Sequence, residues 1–294
     1  MADLRSPENL INLTSYPLTT RGSRDYSFVV NDVRKRLDMD GAASMPGFIR
    51  DDAIALMASE ANALAPLAYA GPKQATPYFF NYDLATNHDP SHPTNRTSKR
   101  DLGQVAYDLI PPEAALYRLY HWAPLQTFLA DILGYEKLYP MTDHFQSLNI
   151  SIMEEGGCQQ WHFDRGHFVT TLLLQEAESG GVFEYAPNIR EEQDEHFDRV
   201  QQVLDGDKHD LRQIRIEAGM LNLFKGHYSM HRVTPVVGKR RRIQTALAYS
   251  PEPNRVGNLA SSLLHYGPRV AVRAGLRETE ANELLRSICN KAHA

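Results

Sequence analysis

Cysteine is nearly absent. Cys158 and Cys289 are the only two in 294 residues, which excludes a disulfide framework and a four-thiolate zinc site and suits a reducing compartment. Nowhere do eighteen apolar residues run together, and the N-terminal segment has no apolar core of signal-peptide type behind its charges. Neither a membrane span nor export is therefore expected, and the chain reads as cytoplasmic. A basic surplus is missing too. Thirty-one Lys and Arg face 36 Asp and Glu, for a formal net charge of −5, so no phosphate backbone would be neutralised and nucleic acid is not an expected partner. The helical His-Glu-x-x-His zinc motif, internal repeats and linkers are absent as well. What remains is a globular composition, 42% hydrophobic and 23% charged, in which twelve histidines are the one chemical surplus.

The chain is expected to form a single domain over 1–294, with three parts. Residues 1–135 read as helical support. Phe28, Val29, Val33 and Leu37 follow helical spacing within 24–40, and Gly41 stops that helix. Asp51 reads as the N-cap of a second helix through Ile54, Met57, Ala61 and Leu64. Pro111 and Pro112 open further helix over 113–120 and 124–133. Residues 71–103 are rich in proline and without periodicity, which reads as a long loop of lid type. From 136 to 250 the texture changes to short β-branched and aromatic segments, with strands expected near 137–141, 146–154, 160–163, 168–175, 182–186, 213–217, 220–224, 231–237 and 242–250. A helix over 191–204 interrupts them, and a C-terminal extension, 251–294, ends in a helix over 278–289. The fold class is α+β with a mainly β core, a two-sheet barrel or jelly roll carrying the helices on one outer face.

His-Phe-Asp-Arg occurs twice, at 162–165 and 196–199. Twelve His and nineteen Asp make about one chance His-x-Asp triplet unremarkable, so context decides. In a strand, i and i+2 share a face, whereas in a helix they diverge. The 196/198 copy lies in a polar helical stretch and reads as a solvated face. The 162/164 copy lies between the Gly156-Gly157 turn and the run Val169–Leu174, where His162 and Asp164 can grip one ion. His231, opening a strand, is the third ligand, with His227 in the preceding turn as rival. Two imidazoles and one carboxylate form a facial triad that leaves adjacent coordination positions open. In the basic run 239–242, one guanidinium entering the strand would suit the far end of a dicarboxylate. Arg242 stands deepest, Arg240 shares its parity, and Arg241 lies between them.

His162-x-Asp164, His231 in His-x-Val-x-Pro-Val and Arg242 on the following strand resemble the iron(II)/2-oxoglutarate-dependent dioxygenase superfamily. Its fold is a double-stranded β-helix of cupin or jelly-roll type. The likeness covers about 145–250. The segments Trp161–Thr171, Gly180–Arg190 and Phe224–Pro235 resemble a bacterial branch of hydroxylases and halogenases that act on free amino acids. The resemblance implies that His162, Asp164 and His231 bind Fe(II) and that Arg242 holds the distal carboxylate of 2-oxoglutarate. Succinate and CO2 would then be formed with O2 while a C–H bond is oxidised. Halogenases of that branch carry a small residue in place of the carboxylate ligand, so Asp164 implies hydroxylation or a related oxygenation, desaturation or cyclisation. Asn149 and Thr171 lie on strand faces that would reach 2-oxoglutarate if they point inward, which parity alone leaves open. Arg165 and His167 would form a rim for an amino-acid-like substrate in natural product biosynthesis. The alternative is a non-catalytic cupin-like metal- or ligand-binding protein, in which Arg242 is dispensable. The expected partner is a small molecule; a homodimer is one arrangement the sequence allows.

Overall fold

The computed structural model describes residues 3–79 and 89–290. Two antiparallel sheets face each other. The larger runs edge to edge through Ala42–Met45, Leu221–Phe224, Val169–Gln175, Arg242–Leu247, Leu148–Met153, Gly103–Val105 and Tyr69–Ala70. The smaller runs through Arg212–Ile214, Phe183–Ala186, Met230–Val233, Cys158–His162, Ser98–Asp101 and Gln74–Ala75. From Leu148 to Leu247 the main strands pass back and forth between the sheets, except that Phe183–Ala186 and Arg212–Ile214 follow one another in the smaller, which is the winding of a double-stranded β-helix.

Period-two alternation explains the layering. Ile150, Ile152, Leu172, Leu174, Leu221, Leu223, Ile243 and Leu247 join one core cluster with Val33, Leu37, Met57, Leu119 and Phe128 of the helices, so this face of the larger sheet carries the helical layer. The opposite face presents Asn149, Ser151, Thr171, Asn222, Arg242 and Gln244 to the space between the sheets. Asn149 and Thr171 both stand opposite Ala246 on the intervening strand, and so share that inner face.

The helix Arg24–Asp40 is capped by Ser23, whose hydroxyl accepts from the Tyr26 N–H, and ends at Gly41 with φ of 70°. Its buried stripe is Tyr26, Val30, Val33 and Leu37. Phe28, expected on that stripe, is 73% exposed: the helix is rotated by its larger anchor, Tyr26, whose hydroxyl donates to Asp131. The second helix, Asp51–Leu64, has Arg50 rather than Asp51 as its N-cap. Asp51 and Asp52 sit in the first turn, where carboxylates meet the positive end of the helix dipole. Ala115–Tyr120 and Ala123–Leu133 complete the layer, the latter ending at Gly134 with φ of 77°.

Three stretches differ from expectation. The helix expected over 191–204 covers only Phe197–Leu204, because His196 has a φ of 46° that an α-helix does not accept. The 71–103 stretch holds the strands Gln74–Ala75 and Ser98–Asp101, which extend the smaller sheet; residues 80–88, central to the lid reading, lie outside the described residues. The C-terminal part holds two further helices, Leu259–Tyr266 and Arg269–Arg273, whose serines and arginines interrupt the apolar spacing that would announce them. Among the described residues, no helix is long and apolar enough to cross a membrane.

Candidate metal centre

His162 closes the strand Cys158–His162, and His231 lies opposite it on Met230–Val233. Directly opposed residues of neighbouring strands share a face, and the two imidazole centroids are 4.0 Å apart. Each Nδ1–H donates to the carbonyl two residues earlier, that of Gln160 at 2.8 Å and that of Ser229 at 3.0 Å. Both rings are thereby fixed with Nε2 unprotonated and available as a ligand atom. Phe183 and Phe224 pack against His231 with centroids at 5.6 and 4.8 Å.

Asp164 arrives differently from the i, i+2 strand geometry read in the sequence. The strand ends at His162, and the next two residues are held by neighbours: the Phe163 N–H donates to the Pro77 carbonyl and the Asp164 N–H to the Gly226 carbonyl, each at 2.9 Å. Asp164 Oδ2 then lies 3.4 Å from His231 Nε2. One ligand atom from each of His162, Asp164 and His231 lies within 4.8 Å of the others, and no other group among the described residues meets that test. Gly226 makes the arrangement possible, since a β-carbon there would stand 1.8 Å from Asp164 Oδ2.

Burial pushes the His162 imidazole down to about 3, with His231 adding to the effect, and pushes His231 down to about 4. Neutral imidazole is the form that ligates a metal. Burial raises the Asp164 carboxyl, and a bound dication would hold it as carboxylate. Two imidazole nitrogens and one carboxylate oxygen on one side of a cavity fit Fe(II).

Arg242 opens its strand on the inner face and is 3% exposed, with its Nη2 unpaired among the described residues. Burial lowers it to about 10, so the group remains a cation. Gly181, at φ of 61°, lets the guanidinium stem pass, because a β-carbon there would lie 2.8 Å from Arg242 Cδ. A buried cation without an anion is an unstable arrangement that a carboxylate corrects. Arg240 does not share this environment. The strand begins only at Arg242, and the exposed Arg240 side chain caps the carbonyls of Glu176 and Ala177 at 2.9 and 3.1 Å. Arg241 pairs with Glu154 at 3.1 Å.

Asn149 and Thr171 face the cavity, half-buried, with Asn149 beside the Tyr266 hydroxyl. Arg165 is exposed beside the metal face. His167 sits in a rim cluster, stacked on His227 at 5.2 Å, and the neighbouring Tyr228 hydroxyl donates to Glu192 at 2.7 Å. His227 stands outside the ligand group, its Nδ1 3.2 Å from Arg190 Nη2. His196 lies 3.3 Å from Asp194, also outside it. The sequence reading missed Gln159, whose amide Nε2 is 3.0 Å from His162 Nε2, and the buried Arg100 and half-buried His265 near it.

Comparisons with known proteins bear on the fold and the family. No curated protein matches the sequence. The non-heme alpha ketoglutarate dependent epimerase SnoN from nogalamycin biosynthesis is similar in structure, with a TM-score of 0.52 and 12% identity over 76% of this chain and 83% of that one. AviO1 from Streptomyces viridochromogenes Tue57 has a TM-score of 0.50 and 16% identity over 76% and 95% of the two chains. At such identities the likeness speaks for the fold. A sequence profile of Halogenase D matches residues 82–261, more than half of the chain and all of the metal face. The chain belongs to the Halogenase D family.

Proposed function

We propose that the protein hydroxylates an unactivated C–H bond of a small polar substrate, a free amino acid or derivative, while 2-oxoglutarate becomes succinate and CO2. The observation that carries the choice of hydroxylation is the Asp164 carboxylate, seated against His231 Nε2 in the space that Gly226 leaves open. In the halogenases this chain resembles, a small residue stands there and halide takes the carboxylate's place; here the place is filled.

His162, Asp164 and His231 would hold the iron, and Arg242 the distal carboxylate of 2-oxoglutarate, with Asn149 and Thr171 along the same wall. When bound, iron with 2-oxoglutarate and O2 supplies the oxidising power for both co-substrate and substrate. The chain's own residues bind and orient. The carbonyls of Gln160 and Ser229 keep both imidazoles in the ligating tautomer, and Phe183 and Phe224 keep water from the His231 side. Arg165 meets an oxygen-rich group of the substrate, and His167 belongs to the rim. An unchanged Michaelis constant in Arg165→Ala would remove that role.

Purified protein with Fe(II), 2-oxoglutarate and air is assayed against a panel of amino acids, reading succinate and product mass together. Gain of one oxygen atom is the expected result. Loss of two hydrogens would mean desaturation or ring closure, and a chlorinated product in the presence of chloride would contradict the reading of Asp164. Absence of succinate with every substrate, together with no iron-dependent binding of 2-oxoglutarate, refutes the function and favours a non-catalytic binding protein.

A further inference from the structure

Three arginines near the metal face make no ion pair among the described residues: Arg242, Arg100 and Arg165. One of them, Arg242, is matched by 2-oxoglutarate under the function proposed above. The other two are not, and Arg100 is the more demanding.

Arg100 lies on the strand Ser98–Asp101, in register with Gln159, and the amide of Gln159 stands 3.0 Å from the ligating nitrogen of His162. Its side chain is 2% exposed. Nη2 donates to Gln104 Oε1 at 2.9 Å, while Nε and Nη1 have no partner among the described residues. The backbone is cut away to admit it: a β-carbon on Gly71 would lie 2.8 Å from Arg100 Nη1 and 2.6 Å from the Leu264 carbonyl. A buried guanidinium with two unsatisfied nitrogens destabilises a fold unless an anion arrives.

His265 is the third member of this wall. Phe79 packs edge-on against both His162 and His265, at 5.2 and 5.4 Å, and so bridges the ligand and the wall. The His265 Nδ1–H donates to the Ser261 carbonyl at 2.8 Å, which leaves Nε2 as an acceptor. Burial, with Arg100 and Arg165 as neighbouring cations, holds the ring neutral. The free Nε2 lone pair can accept a hydrogen bond from the substrate's amine. Arg165, directly after the ligand Asp164, adds a second cation at the exposed side. Among the described residues, the one carboxylate placed with these groups is Asp164, which belongs to the metal face, so a basic side chain finds no other described anion there.

We propose that the substrate is an acidic amino acid or a derivative with two anionic groups, one gripped by Arg100 beside the metal face, the other met by Arg165, with the amine on His265. This rests on the oxygenase reading and narrows its substrate class.

The test is calorimetry on the Fe(II)-loaded protein without oxygen, first with 2-oxoglutarate, then, at saturation, with L-glutamate, L-aspartate, L-leucine and L-lysine in turn. At least one acidic amino acid is expected to bind about tenfold or more tighter than leucine and lysine. Arg100→Gln and Arg165→Gln should each weaken it about tenfold while 2-oxoglutarate affinity stays within about twofold. Ligand-free Arg100→Gln should melt higher than the parent, because an unpaired buried cation has been removed. Leucine or lysine binding equally well, neither acidic amino acid binding, or Arg100→Gln melting lower would each overturn the proposal. Failure of 2-oxoglutarate to bind in the first titration overturns the oxygenase reading itself, so the two failures are separable.

Discussion

Gly226→Ala isolates the seat of the carboxylate ligand. Gly226 does not adopt a positive φ, so alanine brings no backbone strain there, and the perturbation is the methyl alone. That methyl would stand 1.8 Å from Asp164 Oδ2, 2.7 Å from Cγ and 3.0 Å from Cβ. Restoring ordinary contact requires the carboxylate oxygen to move by more than ~1 Å, whereas metal–ligand distances tolerate only about 0.2 Å. The Asp164 N–H is tied to the Gly226 carbonyl, so backbone retreat is restricted and the side chain must rotate out of the ligand set. Fe(II) affinity, measured anaerobically by calorimetry, should fall at least ~100-fold, equivalent to about 2.8 kcal/mol. Unfolding of the metal-free protein in urea should change by less than about 1 kcal/mol, since nothing in the core is disturbed. In Asp164→Gly/Gly226→Ala the clash is gone, and the second substitution should add nothing to the first. Parental iron affinity in Gly226→Ala would refute the argument.

Arg242→Met should weaken 2-oxoglutarate binding to the iron-loaded protein about 100-fold or more, while Arg240→Gln leaves it within about twofold; equal effects at the two positions would show that the turn, and not the inner strand face, provides the anchor. His265 is held neutral by burial, to about 3 in the fold against 6.5 unfolded, so its contribution is intact above pH 6.5 and is lost as the pH falls toward 3. At pH 5 the loss is about 2 kcal/mol. His265→Gln should flatten the acid limb of a urea-stability profile of the metal-free protein by that amount, and an unchanged slope contradicts the burial. Phe128 is fully buried between Tyr26 and Phe48, with centroids at 5.8 and 6.5 Å, so Phe128→Ala should lower unfolding free energy by about 3–5 kcal/mol. A loss under about 1 kcal/mol would mean that the helical layer is not anchored there.

The metal face was legible because its chemistry is written locally. His162 and Asp164 are two residues apart, His231 opens a strand with its own signature, and Arg242 follows on the next strand. The discarded His196–Asp198 copy shows that the neighbours, not the triplet, carried the information. The wall around Arg100 was not legible. Ser98, Lys99, Arg100 and Asp101 are polar without exception, so no alternation marks the strand or its inner face, and a buried Arg contradicts the general rule that charges stay outside. Gly226 needed coordinates, because nothing in the chain says that a methyl there would meet a side chain 62 positions earlier. Arg240 misled through parity: counting back by two is valid only inside a strand, and the strand starts at Arg242. Phe28 misled because hydrophobicity alone cannot choose between two overlapping stripes on one helix, whereas the Tyr26–Asp131 hydrogen bond does.

The strand Ser98–Asp101 joins the rest of the smaller sheet through two register pairs, Arg100 with Gln159 and Asp101 with Cys158. His162, Asp164, His231 and Arg242 come from a different stretch of chain, beyond residue 158. Under the proposed function, one substrate grip, Arg100, thus lies on a segment apart from the ligand-bearing strands, while Arg165 and His265 stay with the later stretch. A lineage can rewrite the 71–103 stretch, or an engineer can graft one, while the ligand-bearing strands stay as they are. Diversification of targets then needs no loss of the catalytic apparatus along the way.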